Sequence, residues 1–492
     1  MSKPRKFDRN LIVFGAGAAG LVSAYIAAAV KAKVTLVEAG AMGGDCLNTG
    51  CVPSKALIKC ARVAQQARDA HKFGVALDKP KIDFPAVMAH VRNSIAAIEP
   101  HDSVERYTGL GVEVLQGRAR LVDPWTVKIS LNAGGEQTLT ARAIILATGA
   151  EPLVPPLLGL DRIQYVTSDT LWDNFARLPQ VPDSLLVLGG GAIGCELAQA
   201  FARLGTRVTL VEKADRLLPL EDRDVSDAVQ QSLRASGVTV LTAHEARAFE
   251  SGNAESTGGS VRLHSADGEQ TLDFDHLLLA LGRRARVSGF GLEELGIVAE
   301  GKLHTDPYLR TRHPHILAAG DLVGPYQFTH MASHQAWYAA VNGLFGDFKK
   351  FAVDYSLVPR AVFVDPEVAS AGLTEQQARE RNITYEVTRY GIDDLDRAIV
   401  DGTAQGFVKV LTAPGRDKIL GVAIVGEGAA ELIAEFVLAI KHGLGMNKLL
   451  STIHIYPTMA EANKYAAGNW KRAHAPARLL RWLERFHRWR RG

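Results

Sequence analysis

The chain has little cysteine. Its 492 residues include four, at Cys46, Cys51, Cys60 and Cys195, which is far too few for a secreted scaffold held together by disulfides. A reducing compartment keeps thiols reduced, so a disulfide in such a chain is more often catalytic than structural. With 47% hydrophobic and 22% charged residues, the composition is that of a globular protein of about three domains.

The chain also lacks a recognisable signal peptide. A basic start precedes the apolar run at residues 11–30, but that run contains the spacing GAGAAG and has no cleavage-type end. Its position before a second predicted strand favours a nucleotide-binding unit over a membrane span. We therefore expect a cytoplasmic protein.

A strong charge excess is absent as well, because the formal net charge is only +3. Eight Lys or Arg and one Glu lie between Lys471 and Arg491, which leaves the rest of the chain mildly acidic. Such a body gives no sign of nucleic-acid binding. We predict no nucleic-acid partner and no resident metal site.

One construction occurs twice in the sequence. Residues 10–38 and 184–212 each contain a predicted strand, a glycine turn, an Ala-rich helix, a second strand and a terminal Glu. A single GxGxxG is weak evidence, whereas two complete βαβ units with matching acids are strong evidence for two dinucleotide sites.

The glycines of these units have steric reasons. They permit a tight turn, close approach of a pyrophosphate to backbone amides at a helix N-terminus, and helix packing on the sheet. A carboxylate after the second strand can accept hydrogen bonds from ribose hydroxyls. The residues are Gly15, Gly17, Gly20 and Glu38 in the first unit, and Gly189, Gly191, Gly194 and Glu212 in the second.

A pair of cysteines follows the first unit. Cys46 and Cys51 lie in GGDCLNTGCVPSK, near the predicted start of a helix that also carries Lys55. Alone, such a Cys is more often a small buried residue and such a Lys a solvated charge. Their place beside a cofactor loop favours a redox-active dithiol, whereas we interpret Cys60 and Cys195 as core residues.

The chain resembles the class I pyridine nucleotide–disulfide oxidoreductases, the family of dihydrolipoamide dehydrogenase, glutathione reductase and mercuric reductase. The resemblance covers roughly residues 8–465. Besides the cysteine segment, the matching motifs are ILATGAEP, GGGAIGCE, LALGRR, ILAAGDL and VFVDPEVASAGLT.

The resemblance implies FAD in the first βαβ unit and a nicotinamide dinucleotide in the second βαβ unit. Asp321 would bind the ribityl or phosphate side of FAD, and Ile193 would gate access of the nicotinamide. The other implied cofactor-binding positions are Gly44, Thr148, Gly149 and Gly282. Because Glu212 would repel a 2′-phosphate, we expect NADH to be preferred over NADPH, although Arg207 and Lys213 leave NADPH open.

The family also implies roles for the dithiol. Cys51 would lie next to the flavin and hold the thiolate, while Cys46 would be the interchange thiol that meets the acceptor. Lys55 matches the flavin-contacting lysine of the family, and Glu196 matches the acid that pairs with it.

The segment 451–468 distinguishes family members. Where the family has a histidine base before a proline, this chain has Tyr456, followed by Pro457 and, after it, Glu461. A phenol has a pKa of about 10 against about 6.5 for imidazole. His454 is a less favoured candidate for the base, because the Tyr-Pro bond, cis by resemblance, would fix the geometry around Tyr456 instead.

Tyr456 shifts the expected acceptor. A tyrosine there resembles mercuric reductase, yet no cysteine follows Cys195 to supply that enzyme's C-terminal cysteine pair. We therefore expect electron transfer to a metal ion or another small acceptor. A dihydrolipoamide dehydrogenase activity and a flavin-bearing redox sensor or membrane-docked redox subunit remain alternatives.

The sequence predicts an α/β fold with two Rossmann-like domains and an α/β dimerisation domain. The expected boundaries are 1–151 with 280–350 for FAD, 152–279 for the nicotinamide dinucleotide and 351–465 for the interface domain. By resemblance the enzyme is a homodimer in which Tyr456 and Glu461 face Cys46 of the partner subunit.

The tail at 466–492 is outside the family pattern. Leu479, Trp482, Leu483 and Phe486 recur at helical spacing among arginines, which predicts an amphipathic helix. We rank packing on the chain itself or on a dimer partner first, and contact with a membrane surface second.

Overall fold

The structure is a computed structural model that describes residues 4–252 and 258–492. Its strands are β1 (Arg9–Phe14), β2 (Val34–Glu38), β3 (Glu113–Asp123), β4 (Thr126–Leu131), β5 (Glu136–Leu146), β6 (Ala150–Pro152), β7 (Val166–Thr167), β8 (Ser184–Leu188), β9 (Arg207–Val211), β10 (Thr239–Leu241), β11 (Glu245–Ser251), β12 (Gly259–Ser265), β13 (Gly268–Phe274), β14 (His276–Leu279), β15 (Arg283–Ala285), β16 (Val298–Ala299), β17 (Lys302–Leu303), β18 (Ile316–Ala318), β19 (Arg360–Val362), β20 (Glu367–Gly372), β21 (Glu386–Gly391), β22 (Phe407–Thr412) and β23 (Ile419–Gly426).

Helices separate many of these strands. They are α1 (Ala18–Ala29), α2 (Gly44–Asn48), α3 (Cys51–Asp69), α4 (Phe84–Ile98), α5 (Val104–Gly109), α6 (Leu171–Phe175), α7 (Ala192–Leu204), α8 (Arg223–Ala235), α9 (Thr329–Phe345), α10 (Glu375–Glu380), α11 (Asp396–Val400), α12 (Ala429–Lys441), α13 (Met446–Ser451), α14 (Glu461–Ala473) and α15 (Ala477–Arg491). Short 3-10 helices form at Ala70–Phe73, Glu99–His101, Leu160–Arg162, Gly320–Leu322 and Ile392–Asp394.

The chain divides into two compact units, one of residues 1–213 and 244–354, the other of residues 214–243 and 355–492. The boundaries expected from sequence for the FAD, nicotinamide and interface domains stay a prediction. Helix α14 runs through the expected start of the tail at residue 466.

A mainly parallel sheet organises the first part of the first unit. β1 pairs in parallel with β2 on one side and β5 on the other, so that Leu11 lies opposite both Val34 and Ala143. These strands are almost entirely apolar, as expected for parallel strands covered on both faces. Helices α1 and α9 pack together beside this sheet.

A second parallel sheet in the same unit contains the other predicted βαβ unit. Its order is β9-β8-β14-β7, with β8 between β9 and β14. In both βαβ units the structure has a strand, a helix and a second strand where the sequence predicts them. The prediction of an α/β fold with two Rossmann-like units is therefore confirmed.

The second unit is built on an antiparallel sheet in the order β19-β20-β23-β22-β21. Its apolar core includes Ile424, Phe436 and Trp470, which come from β23, α12 and α14. Lys409 of β22 places a charge in this interior, since its side chain is only 2% exposed. Its ammonium group contacts the carboxylates of Asp222, Asp224 and Glu375 at 2.9, 2.6 and 3.2 Å, which pairs the buried charge.

Candidate functional site

The first and third glycines of each turn are required by packing. Gly15 has a φ of +95°, and a Cβ there would lie 2.4 Å from the carbonyl oxygen of Ala147. A Cβ on Gly20 would lie 1.7 Å from the carbonyl oxygen of Gly15, and a Cβ on Gly194 would lie 1.9 Å from that of Gly189. These glycines therefore let the helix start approach the strand end.

The middle glycines are not required by packing. Gly17 and Gly191 have φ of −78° and −75°, which any residue adopts. A Cβ on Gly17 would meet its nearest atom at 3.8 Å, and one on Gly191 would meet nothing within 4 Å. Each turn thus leaves free space directly above backbone amides at a helix N-terminus, and a dinucleotide pyrophosphate fits such a cradle.

The two terminal acids close the turns. Glu38 accepts a hydrogen bond from the Ala16 amide at 2.6 Å and another from Gly40 at 2.7 Å. Glu212 accepts one from the Gly190 amide at 2.6 Å. Both carboxylates are therefore held beside the open space over the glycine turns, as the predicted ribose contact requires.

The cation next to Glu212 is already engaged. Lys213 contacts Glu245 at 2.7 Å, and Arg247 contacts the same carboxylate at 2.6 Å. A 2′-phosphate would have to compete with Glu245 for Lys213. Arg207 is the exposed first residue of β9, the strand that ends at Val211, directly before Glu212.

Cys46 lies in α2 and Cys51 begins α3, as the sequence predicts for the dithiol segment. The short connection between them is anchored by Trp172, whose indole N–H donates to the carbonyl of Thr49 at 2.7 Å. Both cysteines are free thiols, Cys46 half-buried and Cys51 exposed. Cys195 is buried as expected, whereas Cys60 is only half-buried.

The two thiols differ in acidity. The hydrogen bond from Cys46 is the largest influence that lowers the pKa of Cys51 to about 6, and Thr329 and Lys55 lower it further. The same contact raises the pKa of Cys46, and burial raises it too. The reduced pair therefore holds a thiolate on Cys51 and a protonated thiol on Cys46, the distribution implied by the family roles.

Thr329 is a residue that the sequence reasoning missed. It begins α9, and its hydroxyl oxygen lies 3.4 Å from Cys51 Sγ. The contact joins residues 278 positions apart, and no motif spacing points to it.

Lys55 and Glu196 form the predicted pair. Lys55 Nζ contacts Glu196 Oε2 at 2.8 Å, and the glutamate side chain is 6% exposed. The pair joins α3, which carries Cys51, to α7 of the second glycine turn. One cation thus lies between the dithiol helix and the second cradle.

Asp45, beside Cys46, was also missed as a site residue. Arg283 contacts both Asp45 and Asp169, and it donates to the carbonyl of Ala150 at 2.9 Å. Burial raises the pKa of Asp45, against the lowering effect of Arg283. One guanidinium therefore holds α2, which carries Cys46, to β6 and β15.

The remaining predicted cofactor positions belong to the first compact unit. Gly44, φ +60°, packs so closely on Gly17 that a Cβ there would lie 2.6 Å from the Cα of Gly17. Burial raises the pKa of Asp321 to about 6, with Arg283 opposing. The hydroxyl of Thr148 donates to the Arg286 carbonyl at 2.7 Å. Gly149 and Gly282 have positive φ and open space at the Cβ position. Ile193 is half-buried.

Tyr456 belongs to the second unit and has a carboxylate partner. Its hydroxyl donates to Asp396 Oδ2 at 2.9 Å, and its side chain is 65% exposed. This hydrogen bond is the main reason that the pKa of Tyr456 is raised above its ordinary value. The Tyr456-Pro457 peptide bond is cis, as the resemblance predicts.

Each of the other two candidates has hydrogen-bond partners of its own. His454 Nε2 lies 2.9 Å from Glu435 Oε1, and the imidazole is 6% exposed. Glu461 is 3% exposed and accepts from the Tyr465 hydroxyl at 3.3 Å and the Thr458 amide at 3.4 Å. His454 thus has a carboxylate partner and little exposed surface, and the choice between Tyr456 and His454 stays a prediction.

Within residues 4–252 and 258–492, no three or more His, Cys, Asp or Glu side chains are grouped so that they could hold a metal ion. Among the described helices, none is both long and apolar enough to cross a membrane.

Comparison with known proteins gives a consistent family. Residues 9–336 match the family described as pyridine nucleotide-disulphide oxidoreductase, and residues 358–467 match its dimerisation domain. Mercuric reductase of Streptomyces lividans is 37% identical over 466 residues, which cover 93% of this chain and 95% of that protein. Dihydrolipoyl dehydrogenase of Chlamydia pneumoniae is 34% identical over 461 residues, covering 93% and 95%.

A solved structure shares the fold along most of the chain. The copper(II) complex of the HOCl-induced flavoprotein disulfide reductase RclA from Escherichia coli matches with a TM-score of 0.81 and 26% identity, covering 94% of this chain and 99% of that one.

Proposed function

Because the chain belongs to the pyridine nucleotide-disulphide oxidoreductase family and is an FAD-dependent enzyme using a pyridine nucleotide, we propose that it passes electrons from NADH through Cys46 and Cys51 to a thiolate-bound metal ion. The residues proposed to do this in the first compact unit are Cys46, Cys51, Lys55 and Glu196. In the second compact unit they are Tyr456 and Glu461.

The hydrogen bond from Tyr456 to Asp396 carries the proposal. Reduction of a disulfide substrate, or oxidation of a dithiol, needs a base that exchanges protons with the thiols near neutral pH. A phenol that donates to a carboxylate has its proton engaged, and its raised pKa leaves less phenolate near neutral pH than an ordinary tyrosine would have. A metal ion bound by thiolates needs no such base.

Each residue then has a defined task. FAD, when bound over Gly15, Gly17 and Gly20, supplies two-electron transfer between the nicotinamide and the cysteine pair. Cys51 holds the thiolate, and Cys46 carries the proton until a metal ion displaces it.

The electrons balance. Re-forming the Cys46–Cys51 disulfide releases two electrons, enough to reduce one Hg(II) to Hg(0) or two Cu(II) to Cu(I). The thiol proton of Cys46 goes to solvent.

NADH as the preferred donor has separate support. Glu212 beside the second turn would repel a 2′-phosphate, and Glu245 occupies Lys213 at 2.7 Å.

The match to the dimerisation domain supports a homodimer. We propose that Tyr456 acts across that interface, near Cys46 of the partner subunit.

The acceptor is tested with NADH as donor and Hg(II), Cu(II), lipoamide, glutathione disulfide and a quinone as separate acceptors. We expect turnover with a metal ion and little with either disulfide. The Cys46→Ser variant, checked for bound FAD by its absorbance, should lose metal turnover. Faster turnover of lipoamide than of the metals would favour dihydrolipoamide dehydrogenase activity, for which the Chlamydia relative is the supporting observation. Flavin reduction by NADH without turnover on any acceptor would favour a redox sensor.

A further inference from the structure

The C-terminal helix α15 has two chemically different faces. Its apolar face carries Leu479, Trp482, Leu483, Phe486 and Trp489. Along the flank of this face lie Arg478, Arg481, Arg485 and Arg488, and Arg490 and Arg491 end the helix. Glu484 is its one acidic residue. The helix is therefore amphipathic and strongly basic.

No side chain of α15 is buried against the described residues. Trp482 is 58% exposed and Trp489 76%, while Trp482 stacks on Phe486 within the same helix at a ring-centroid distance of 5.5 Å. The preceding helix α14 contrasts with it, because α14 buries Ala466 and Trp470 in the core of its unit. Among the described residues α15 thus buries no side chain against its own chain, whereas packing on a dimer partner stays a prediction.

The length and hydrophobicity of α15 restrict what can cover its apolar face. Fifteen residues make a helix of about 22 Å, shorter than the hydrocarbon core of a bilayer, which is about 30 Å. The arginines along its length also exclude a buried span. The helix is therefore suited to lie along a surface and not to cross one.

The charges indicate the kind of surface. The four flanking arginines recur every three or four residues and form a continuous basic strip beside the apolar strip. A plane of phosphate groups can meet all of them at once while Leu, Phe and Trp enter the acyl boundary. Tryptophan is suited to this depth because its ring is apolar and its N–H polar.

We propose that α15 binds the surface of an anionic lipid bilayer, with Trp482, Phe486 and Trp489 in the headgroup–acyl boundary and the arginines on lipid phosphates. The reductase would then work at a membrane surface. This inference does not depend on the identity of the electron acceptor.

The test is sedimentation of the full-length, FAD-loaded enzyme with vesicles. We expect binding to phosphatidylcholine vesicles that contain phosphatidylglycerol, weak binding to pure phosphatidylcholine, and loss of binding as salt rises. Arg478, Arg481 and Arg485 changed together to Gln should weaken binding on the order of a hundredfold, since each basic residue near an anionic surface contributes about 1 kcal/mol.

Two further variants separate charge from apolar contact. Trp482→Ala with Trp489→Ala keeps every charge and should weaken binding on the order of tenfold or more. The matched control changes exposed Lys79, Lys81 and Arg92 to Gln, removes the same charge and should bind as wild type. Bound flavin and circular dichroism confirm that each variant is folded.

Three results would overturn the proposal. The first is equal binding to vesicles with and without phosphatidylglycerol. The second is a charge or tryptophan variant that binds like the control. The third is a fall from dimer to monomer, in lipid-free ultracentrifugation, when residues 477–492 are removed, because α15 would then be an interface between two copies of the chain.

Discussion

The acidity of Cys51 depends on a contact that can be removed without touching either cysteine. Thr329 lies at the start of α9, and its hydroxyl is 3.4 Å from Cys51 Sγ. Once Cys51 is a thiolate, the hydroxyl can only donate, so it favours the charged form and lowers the pKa. Thr329→Val keeps the shape of the side chain and removes this donor.

The expected size of the effect follows from the energy of one hydrogen bond. A bond to a charged group contributes about 1.5–3 kcal/mol, and one pKa unit corresponds to about 1.4 kcal/mol. Sulfur is a weaker hydrogen-bond acceptor than oxygen, and Cys46 and Lys55 still lower the pKa of Cys51 in the variant. We therefore take the low end of the range and expect the pKa of Cys51 to rise from about 6 by about one unit.

The assay is the pH dependence of alkylation of Cys51 by iodoacetamide in the reduced enzyme, followed by mass spectrometry of its peptide. Only the thiolate reacts, so the rate rises with pH through the pKa of Cys51. Cys46 does not obscure the inflection, because its pKa is raised. Thr329→Ser keeps a hydroxyl and should keep the wild-type inflection. An unchanged inflection in Thr329→Val, or a wild-type inflection near that of an ordinary thiol, would refute the reasoning.

Four other substitutions test the cofactor cradles and the core. Gly17→Ala fills space that the fold leaves open, so it should weaken FAD binding with little loss of stability, whereas Gly20→Ala should destabilise the fold itself; flavin content and urea unfolding distinguish the two. Glu245→Gln frees Lys213 for a 2′-phosphate and should lower KM for NADPH relative to NADH, measured by steady-state kinetics. Lys409→Met leaves three carboxylates around an uncharged side chain and should lower the free energy of unfolding by about 3–5 kcal/mol in urea titrations.

Each of these has an outcome that would contradict it. Full FAD content in Gly17→Ala would show that the open space over the first turn is not the pyrophosphate cradle. An unchanged ratio of NADPH to NADH efficiency in Glu245→Gln would show that Lys213 does not limit the choice of donor. Wild-type stability of Lys409→Met would show that the three carboxylates are satisfied without the ammonium group.

The repeated βαβ units could be predicted because their signal is local. The glycine spacing, the apolar strands and the terminal Glu38 and Glu212 all lie within short segments, and the structure has each strand and helix where the pattern indicates. The different roles of the glycines could not be predicted from their spacing. A Cβ on Gly20 would meet the carbonyl of Gly15, whereas one on Gly17 would make only an ordinary contact with Gly44.

The electrostatics of the site could not be predicted in the same way. Thr329 meets Cys51 across 278 positions, and Asp396 meets Tyr456 across 60. Such pairs depend on how distant helices pack, and no spacing in the sequence encodes them. The period of α15 likewise predicts a helix, but not that its apolar face remains uncovered by the described residues.

The central claim is that Tyr456, held by Asp396, excludes disulfide substrates by leaving no base beside the dithiol. The most direct measurement is turnover of lipoamide and of a metal ion, with NADH as donor, by wild type, Tyr456→His and Tyr456→Phe. We expect that only Tyr456→His gains lipoamide turnover, with a pH dependence set by the new imidazole. Substantial lipoamide turnover by the wild type, or no gain in Tyr456→His while its FAD and metal turnover are intact, would contradict it.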